Sequence, residues 1–252
     1  MGQTSQWAGA EKYMQHVKPT LEPSWLRTGT GQKSRKSNTV YESLKARIVI
    51  GELTEDSPIT EQALARQFGC SQSTVREALL RLQEDGLVLR HSYRGTTVTA
   101  ATDEEAIIML RLRLNIELTA LDAIIRNITP EKLAELRQIA DLYDQLRADR
   151  DTYGVSEADI AFHMTLHQVA DMPVVEPILQ RAMLHLHRYL LIRHKDKMVW
   201  IGKIEASHSA LLDAIEAKDR DRAADLTYQH TTSSTIEVDP SVRRTIVGDL
   251  EV

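Results

Sequence analysis

Residues 70–98 read CSQSTVREALLRLQEDGLVLRHSYRGTTV, and the fold turns on how this stretch is understood. Ser71 stands at a helix N-cap, where a short hydroxyl accepts from the free N–H groups of the first turn. Val75, Leu79 and Leu82 recur at helical spacing and form one apolar face, and Gly86 ends the run. LVLRHS and TTVTA follow as two short β-branched segments, and Gly95 suits a tight turn after Tyr93 and Arg94. A helix feeding directly into a hairpin needs further helices upstream to complete a core.

Those helices are present. TEQALARQFG places Thr60 as N-cap and Gly69 as C-cap. Before it, from Thr39, Val40, Leu44 and Ile48 lie four apart and Gly51 closes the segment. Three helices and a hairpin over residues 39–100 read as a winged helix-turn-helix.

After Ala100 no strand pattern recurs. Thr102 and Glu105 form a capping box at the head of a long helix, and Thr129–Pro130 opens the next. Further helices are expected over 156–171, 173–195, 198–218 and 220–235. The expected fold is mainly α, an N-terminal winged helix-turn-helix (three helices plus a β-hairpin wing) joined to an all-α helical-bundle domain. The expected division is a flexible arm 1–38, the winged helix 39–100, the helical domain 101–235 and a tail 236–252.

Apolar residues make up 42% of the 252, enough for a core, and a single cysteine excludes an internal disulfide. No apolar run approaches the roughly 20 residues that span a bilayer. The first residues lack the hydrophobic stretch of a signal peptide, so a cytoplasmic protein without membrane association is expected. The net charge of −5 is uneven: residues 1–100 carry 13 Lys and Arg against 10 Asp and Glu, and the remainder is acidic. A weakly basic head suits a polyanion.

A helix-turn-helix puts the first turn of its second helix into the major groove, and here that turn carries Gln72, Ser73, Thr74 and Arg76. Gln can bond an adenine edge bidentately, and Arg a guanine edge or a phosphate; Ser and Thr suit phosphates. Arg94, with Gly95 allowing close approach, is placed at the wing tip to reach backbone or minor groove. Lys45, with Tyr41 and Arg47, is a weaker phosphate candidate. The alternative for Arg76 is an ion pair with a nearby carboxylate.

SEADIAFHMTLH, residues 156–167, sets Asp159 and His163 one turn apart on a helix face. Such a pair serves as an ion pair, a dyad or half of a metal site. His208 and His230 stand on later helices. Asp with three His suits Zn²⁺, and is acceptable for Ni²⁺ or Mn²⁺, if three helices converge.

Val75–Arg76–Glu77–Ala78–Leu79, Arg81–Leu82, Gly86–Leu87 and Arg94–Gly95 resemble the signature of the GntR family of bacterial transcription regulators. The segment 102–235 resembles the FadR-like, or FCD, effector domain of that family. The resemblance implies a double-stranded DNA operator of near-palindromic sequence, a homodimer and a small-molecule effector. It also implies metal ligation by Asp159, His163, His208 and His230, with an organic acid completing the shell. Arg113 matches an arginine that faces the ligand cavity, the alternative being an ion pair with Glu117; Arg188 is a weaker effector candidate. His167, His185, His187 and His194 are read as structural, surface or second-layer groups. Departures are Gln72 and Gln62 where the family carries arginines, and Met172 where it carries Asn. The expected function is a repressor released from DNA by its effector. The rivals are a regulator for which the metal is itself the signal, and a metal-dependent hydrolase fused to a DNA-binding head. The hydrolase needs a general base that Glu157, two residues from Asp159, is badly placed to supply.

Overall fold

A computed structural model describes residues 32–91, 95–193 and 207–238. The chain divides into two compact units, residues 1–100 and 101–252.

In the first unit α1 (Gln32–Val49), α2 (Glu61–Gln67) and α3 (Gln72–Glu84) precede strands β1 (Val88–His91) and β2 (Gly95–Val98). The strands pair antiparallel, with Val88 opposite Val98 and His91 opposite Gly95. Gly95 has φ +82°, a left-handed conformation that suits glycine at the start of the return strand. Thr60 and Ser71 cap α2 and α3 by accepting from Ala63 N and Thr74 N. The core is made by Leu44, Ile48, Val75, Leu79, Leu82 and Leu87, none of them accessible to solvent. Burying each such side chain contributes about 1.5–3 kcal/mol before entropy is counted. The first helix begins earlier than the sequence pattern indicates. The extra residues are tied down, because Ser37 is buried and Lys36 donates to the Gly69 carbonyl. The remainder of the expected arm, and the wing tip with Arg94, lie outside the described residues.

The second unit is helical throughout its described residues: α4 (Asp103–Asn127), α5 (Pro130–Ala148), α6 (Thr152–Val169), α7 (Glu176–Arg193), α8 (His208–Glu216) and α9 (Arg220–Val238). Thr102 caps α4, and Thr129 with Pro130 at the first position opens α5. The last described helices are separate: α8 starts at His208, capped by Ser207, and residues 198–206 of the expected helix lie outside the description. Helix α4 packs on α6, α7 and α9, and α5 packs on α6 and α8. Leu121, Leu136, Phe162, Leu166, Leu212 and Ile215 belong to the main apolar cluster. Buried among these helices is a set of charged and imidazole side chains.

Candidate metal centre and DNA-reading face

Helix α6 supplies Asp159 and His163, α8 supplies His208 from its first turn, and α9 supplies His230. All four are buried, and one ligand atom from each lies within 4.8 Å of the others. Asp159 Oδ1 is 3.1 Å from His208 Nε2, 3.2 Å from His230 Nε2 and 3.8 Å from His163 Nε2. In a tetrahedral zinc shell with bonds of about 2.0–2.1 Å, neighbouring ligand atoms stand about 3.3 Å apart. The three distances from Asp159 Oδ1 bracket that spacing, and the four donors all lie within 4.8 Å of one another.

Proton placement sharpens the fit. His163 Nδ1 lies 3.0 Å from Glu117 Oε1. Burial lowers the His163 pKa, so the ring is held neutral, with its single proton on Nδ1 donated in a hydrogen bond to Glu117. Nε2 then faces Asp159 as a lone pair, and it is buried with no hydrogen-bond donor. A lone pair aimed at a carboxylate inside a protein calls for a cation. His208 is pushed down to about 3, first by burial and then by the neighbouring His230, and it too is a neutral donor. Its ring is wedged between Phe162, stacked at 4.0 Å, and Tyr143, edge-on at 4.4 Å.

A second layer encloses these four. Burial raises the carboxyl pKa of Asp159, but the Arg113 guanidinium and the imidazoles around it outweigh it and hold the group well below its usual range. Glu117 is likewise kept ionised, against the effect of burial, by the Arg113 guanidinium and by the hydrogen bond from His163. Arg113 donates from Nε to Glu117 at 3.0 Å and from Nη2 to Asp159 at 3.4 Å. Thr231 Oγ1 donates to Glu117 Oε2, and His187 bridges Asp159 Oδ2 at 3.1 Å and Ser156 Oγ at 2.9 Å. The ion pair with Glu117 that was the alternative for Arg113 is thus formed. Arg188 is buried on α7. His167, one turn beyond His163, stays outside the cluster and lines a small cavity with Glu117 and Thr227. Sequence reasoning did not single out Glu117, His187 or Thr231 as partners of the cluster. Glu117 was marked only by its spacing from Arg113, and no pattern distinguished His187 from the other spare histidines.

On the first unit, Gln72, Ser73 and Arg76 are exposed on α3. Thr74 and Lys45 are not: Thr74 is buried with its hydroxyl 2.9 Å from Ser71 Oγ, and Lys45 is buried on α1. These two correct the expectation of phosphate contacts, because cap geometry turns Thr74 inward and Lys45 lies on the packed side of its helix. Tyr41 donates to Asp85, and Arg47 pairs with Glu52 at 3.4 Å, so both serve the unit internally. Arg81 lies over the Tyr41 ring at 3.8 Å. Arg76 pairs with Glu61, its Nη2 2.7 Å from Oε2.

Residues 36–98 match the model of the bacterial regulatory proteins of the gntR family, and residues 108–233 match the FCD domain. The chain belongs to the GntR family of transcription regulators, in its FCD branch. The HTH-type transcriptional regulator McbR of Escherichia coli is 27% identical over 77% of this chain and 89% of that protein. The gluconate operon transcriptional repressor of Bacillus subtilis is 26% identical over 81% of this chain and 83% of its own length. The solved structure of E. coli McbR/YncC superposes with a TM-score of 0.68 at 22% identity, over 81% of this chain and 96% of that one. A regulator from Rhodococcus sp. RHA1 gives 0.62, also at 22% identity, over 81% of this chain and 97% of that one. As a GntR-family regulator, the chain pairs a winged helix with a helical domain, and no described helix is long and apolar enough to cross a membrane.

Proposed function

We propose that this GntR-family regulator is a repressor that holds a divalent cation, Zn²⁺ before Ni²⁺ or Mn²⁺, through Asp159, His163, His208 and His230. It leaves its operator when a small organic acid binds beside the metal. The observation that carries the reading is the buried, donorless His163 Nε2, aimed with two other imidazole nitrogens at Asp159 Oδ1. Three imidazoles and one carboxylate favour zinc over harder cations. Bound there, the cation supplies an electrophilic position for an effector carboxylate. Arg113 and His187 lie against Asp159 Oδ2, the carboxylate oxygen other than Oδ1, and supply N–H donors around the effector's acid group, with Arg188 a further cation on α7. On the DNA side, Gln72, Ser73 and Arg76 contact the operator from α3, aided by Arg94 and Gly95 of the wing. A homodimer matches a near-palindromic site. Effector binding shifts the population between forms that fit and do not fit the operator, in proportion to its differential affinity for them. The reading as a repressor is supported by the gluconate operon repressor among the relatives; cytoplasmic residence accords with binding bacterial DNA.

The test is a three-way titration. Full-length protein is stripped with chelator, reloaded with Zn²⁺, and mixed with a duplex selected from a random library, with and without a panel of carboxylic acids. Release from DNA by one acid only in the metal-loaded protein is expected. Binding governed by metal alone, with no acid effective, establishes the metal as the signal and overturns the organic-acid reading.

A further inference from the structure

The exposed face of α3 carries an arrangement that the proposed function does not use. Glu61, the first residue of α2, receives both Arg76 of α3 and Arg90 of β1. Arg76 donates from Nη2 to Oε2 at 2.7 Å and from Nε to Oε1 at 3.1 Å; Arg90 Nη2 reaches Oε1 at 2.9 Å. The Arg76 side chain is 56% exposed and that of Glu61 20%. The carboxylate is therefore partly covered while the arginine stands out from the surface. Three elements of the winged helix meet at one carboxylate.

The guanidinium is planar with five N–H donors. Glu61 occupies the Nε–Nη2 edge. Three N–H groups remain, and two of them, one on Nη1 and one on Nη2, form the edge that matches O6 and N7 of guanine. An unbuttressed arginine on this face would distribute over many rotamers, and fixing it only on contact costs side-chain entropy. Arg90 offsets the charge of Glu61, so the group of three keeps a net positive charge toward DNA. An exposed pair of this kind contributes little to folding stability, so stability gives it no purpose.

We infer that Glu61 is a positioning residue for base reading: it clamps one edge of Arg76 so that the other is presented to a guanine in the major groove. This rests on the proposed contact between Arg76 and DNA. The occupied edge accounts for specificity at one base pair per half-site, even though Gln72 and Gln62 stand where the family carries arginines.

The test uses full-length protein and selection from a randomised duplex library, followed by competition binding at fixed salt. Wild type is expected to prefer guanine at one position per half-site. Arg76→Ala should lose that preference, about 5- to 150-fold in discrimination against the other bases. Glu61→Gln should lose preference at the same position and no other, with little change in melting temperature or in affinity for random duplex. Arg76→Lys retains charge without the fork and should behave likewise, which keeps the inference open to test if the Glu61 variant folds poorly. Arg90→Ala leaves the clamp in place and should weaken binding evenly across sequences. If Arg76→Ala relaxes one position while Glu61→Gln keeps wild-type preference there, the positioning role is wrong. An even rise in affinity in Glu61→Gln at unchanged preference overturns it as well, marking Glu61 as a repulsive surface charge. If Arg76→Ala alters no base preference, the base contact itself fails, and the inference with it.

Discussion

His163 presents Nδ1 to the Glu117 carboxylate at 3.0 Å, and the same ring turns Nε2 toward Asp159. Glu117 thereby selects the tautomer in which Nε2 is a free donor. It also joins the cluster to α4, a helix that contributes none of the four ligands. Outer partners of this kind typically account for 10- to 100-fold in metal affinity. Glu117→Gln, which keeps a hydrogen-bond acceptor but removes the charge, should lower zinc affinity by about 10-fold, and Glu117→Ala by more. Chelator competition measures it. Equal affinity in all three proteins would show that His163 needs no orienting partner.

Loss of a ligand should separate metal binding from folding. His230 offers Nε2 3.2 Å from Asp159. A ligand that binds only the folded chain adds about 2.7 kcal/mol at a hundredfold excess over its Kd. Zinc should therefore raise the melting temperature of the wild type by several degrees and that of His230→Ala hardly at all. His208→Ala should lose metal too, and should also melt lower when stripped, because its ring packs on Phe162 and Tyr143. Elemental analysis that finds a full equivalent of tightly held zinc in either variant contradicts the ligand assignment.

What the sequence disclosed depended on range. The caps at Thr60, Ser71, Thr102 and Thr129 are local rules, and each side chain accepts from the N–H three residues on. The apolar faces of α1 and α3 follow from period alone. The four residues of the cluster were legible through the i, i+4 pair and through resemblance, since no spacing rule links positions 159, 208 and 230. The second layer was not legible: Glu117, Thr231, Ser156 and His187 come together only through packing of α4, α6, α7 and α9. Thr74 illustrates the opposite failure. Its residue type suits phosphate, but the third position of the helix turns it back to the Ser71 cap.

Acid should destabilise the metal-stripped effector domain earlier than carboxylate titration would. The unfolded chain protonates histidine near pH 6.5. Folded His208 resists until about pH 3, because burial first and His230 second disfavour its charge. Below pH 6.5 the unfolded state thus binds the extra proton, and stability falls with falling pH by about 1.4 kcal/mol per unit for each such group. His163 shifts in the same direction, again through burial. Asp159 and Glu117 are shifted down as well, so their contribution is intact above the ordinary carboxylate range and disappears only at lower pH. Melting of stripped protein should drop steadily between pH 6.5 and 5. A flat profile there would mean that these histidines are protonated in the fold.

Arg113 is bonded to both buried carboxylates, at 3.0 Å to Glu117 and 3.4 Å to Asp159. Each carboxylate is ionised in part because this guanidinium is present. Removing one partner of a buried ionic group leaves an uncompensated charge, at a cost of about 3–5 kcal/mol. Arg113→Ala should therefore melt well below wild type when stripped of metal. Reloading should recover part of the difference, because a cation at Asp159 replaces some of the lost positive charge. Operator binding by the loaded variant should persist while its response to a carboxylic-acid effector weakens. Calorimetry of stripped and loaded protein, paired with a DNA-release titration, measures both effects. Wild-type stability without metal would show that the two carboxylates do not depend on Arg113, and an unchanged dose response in loaded protein would remove the residue from the effector site.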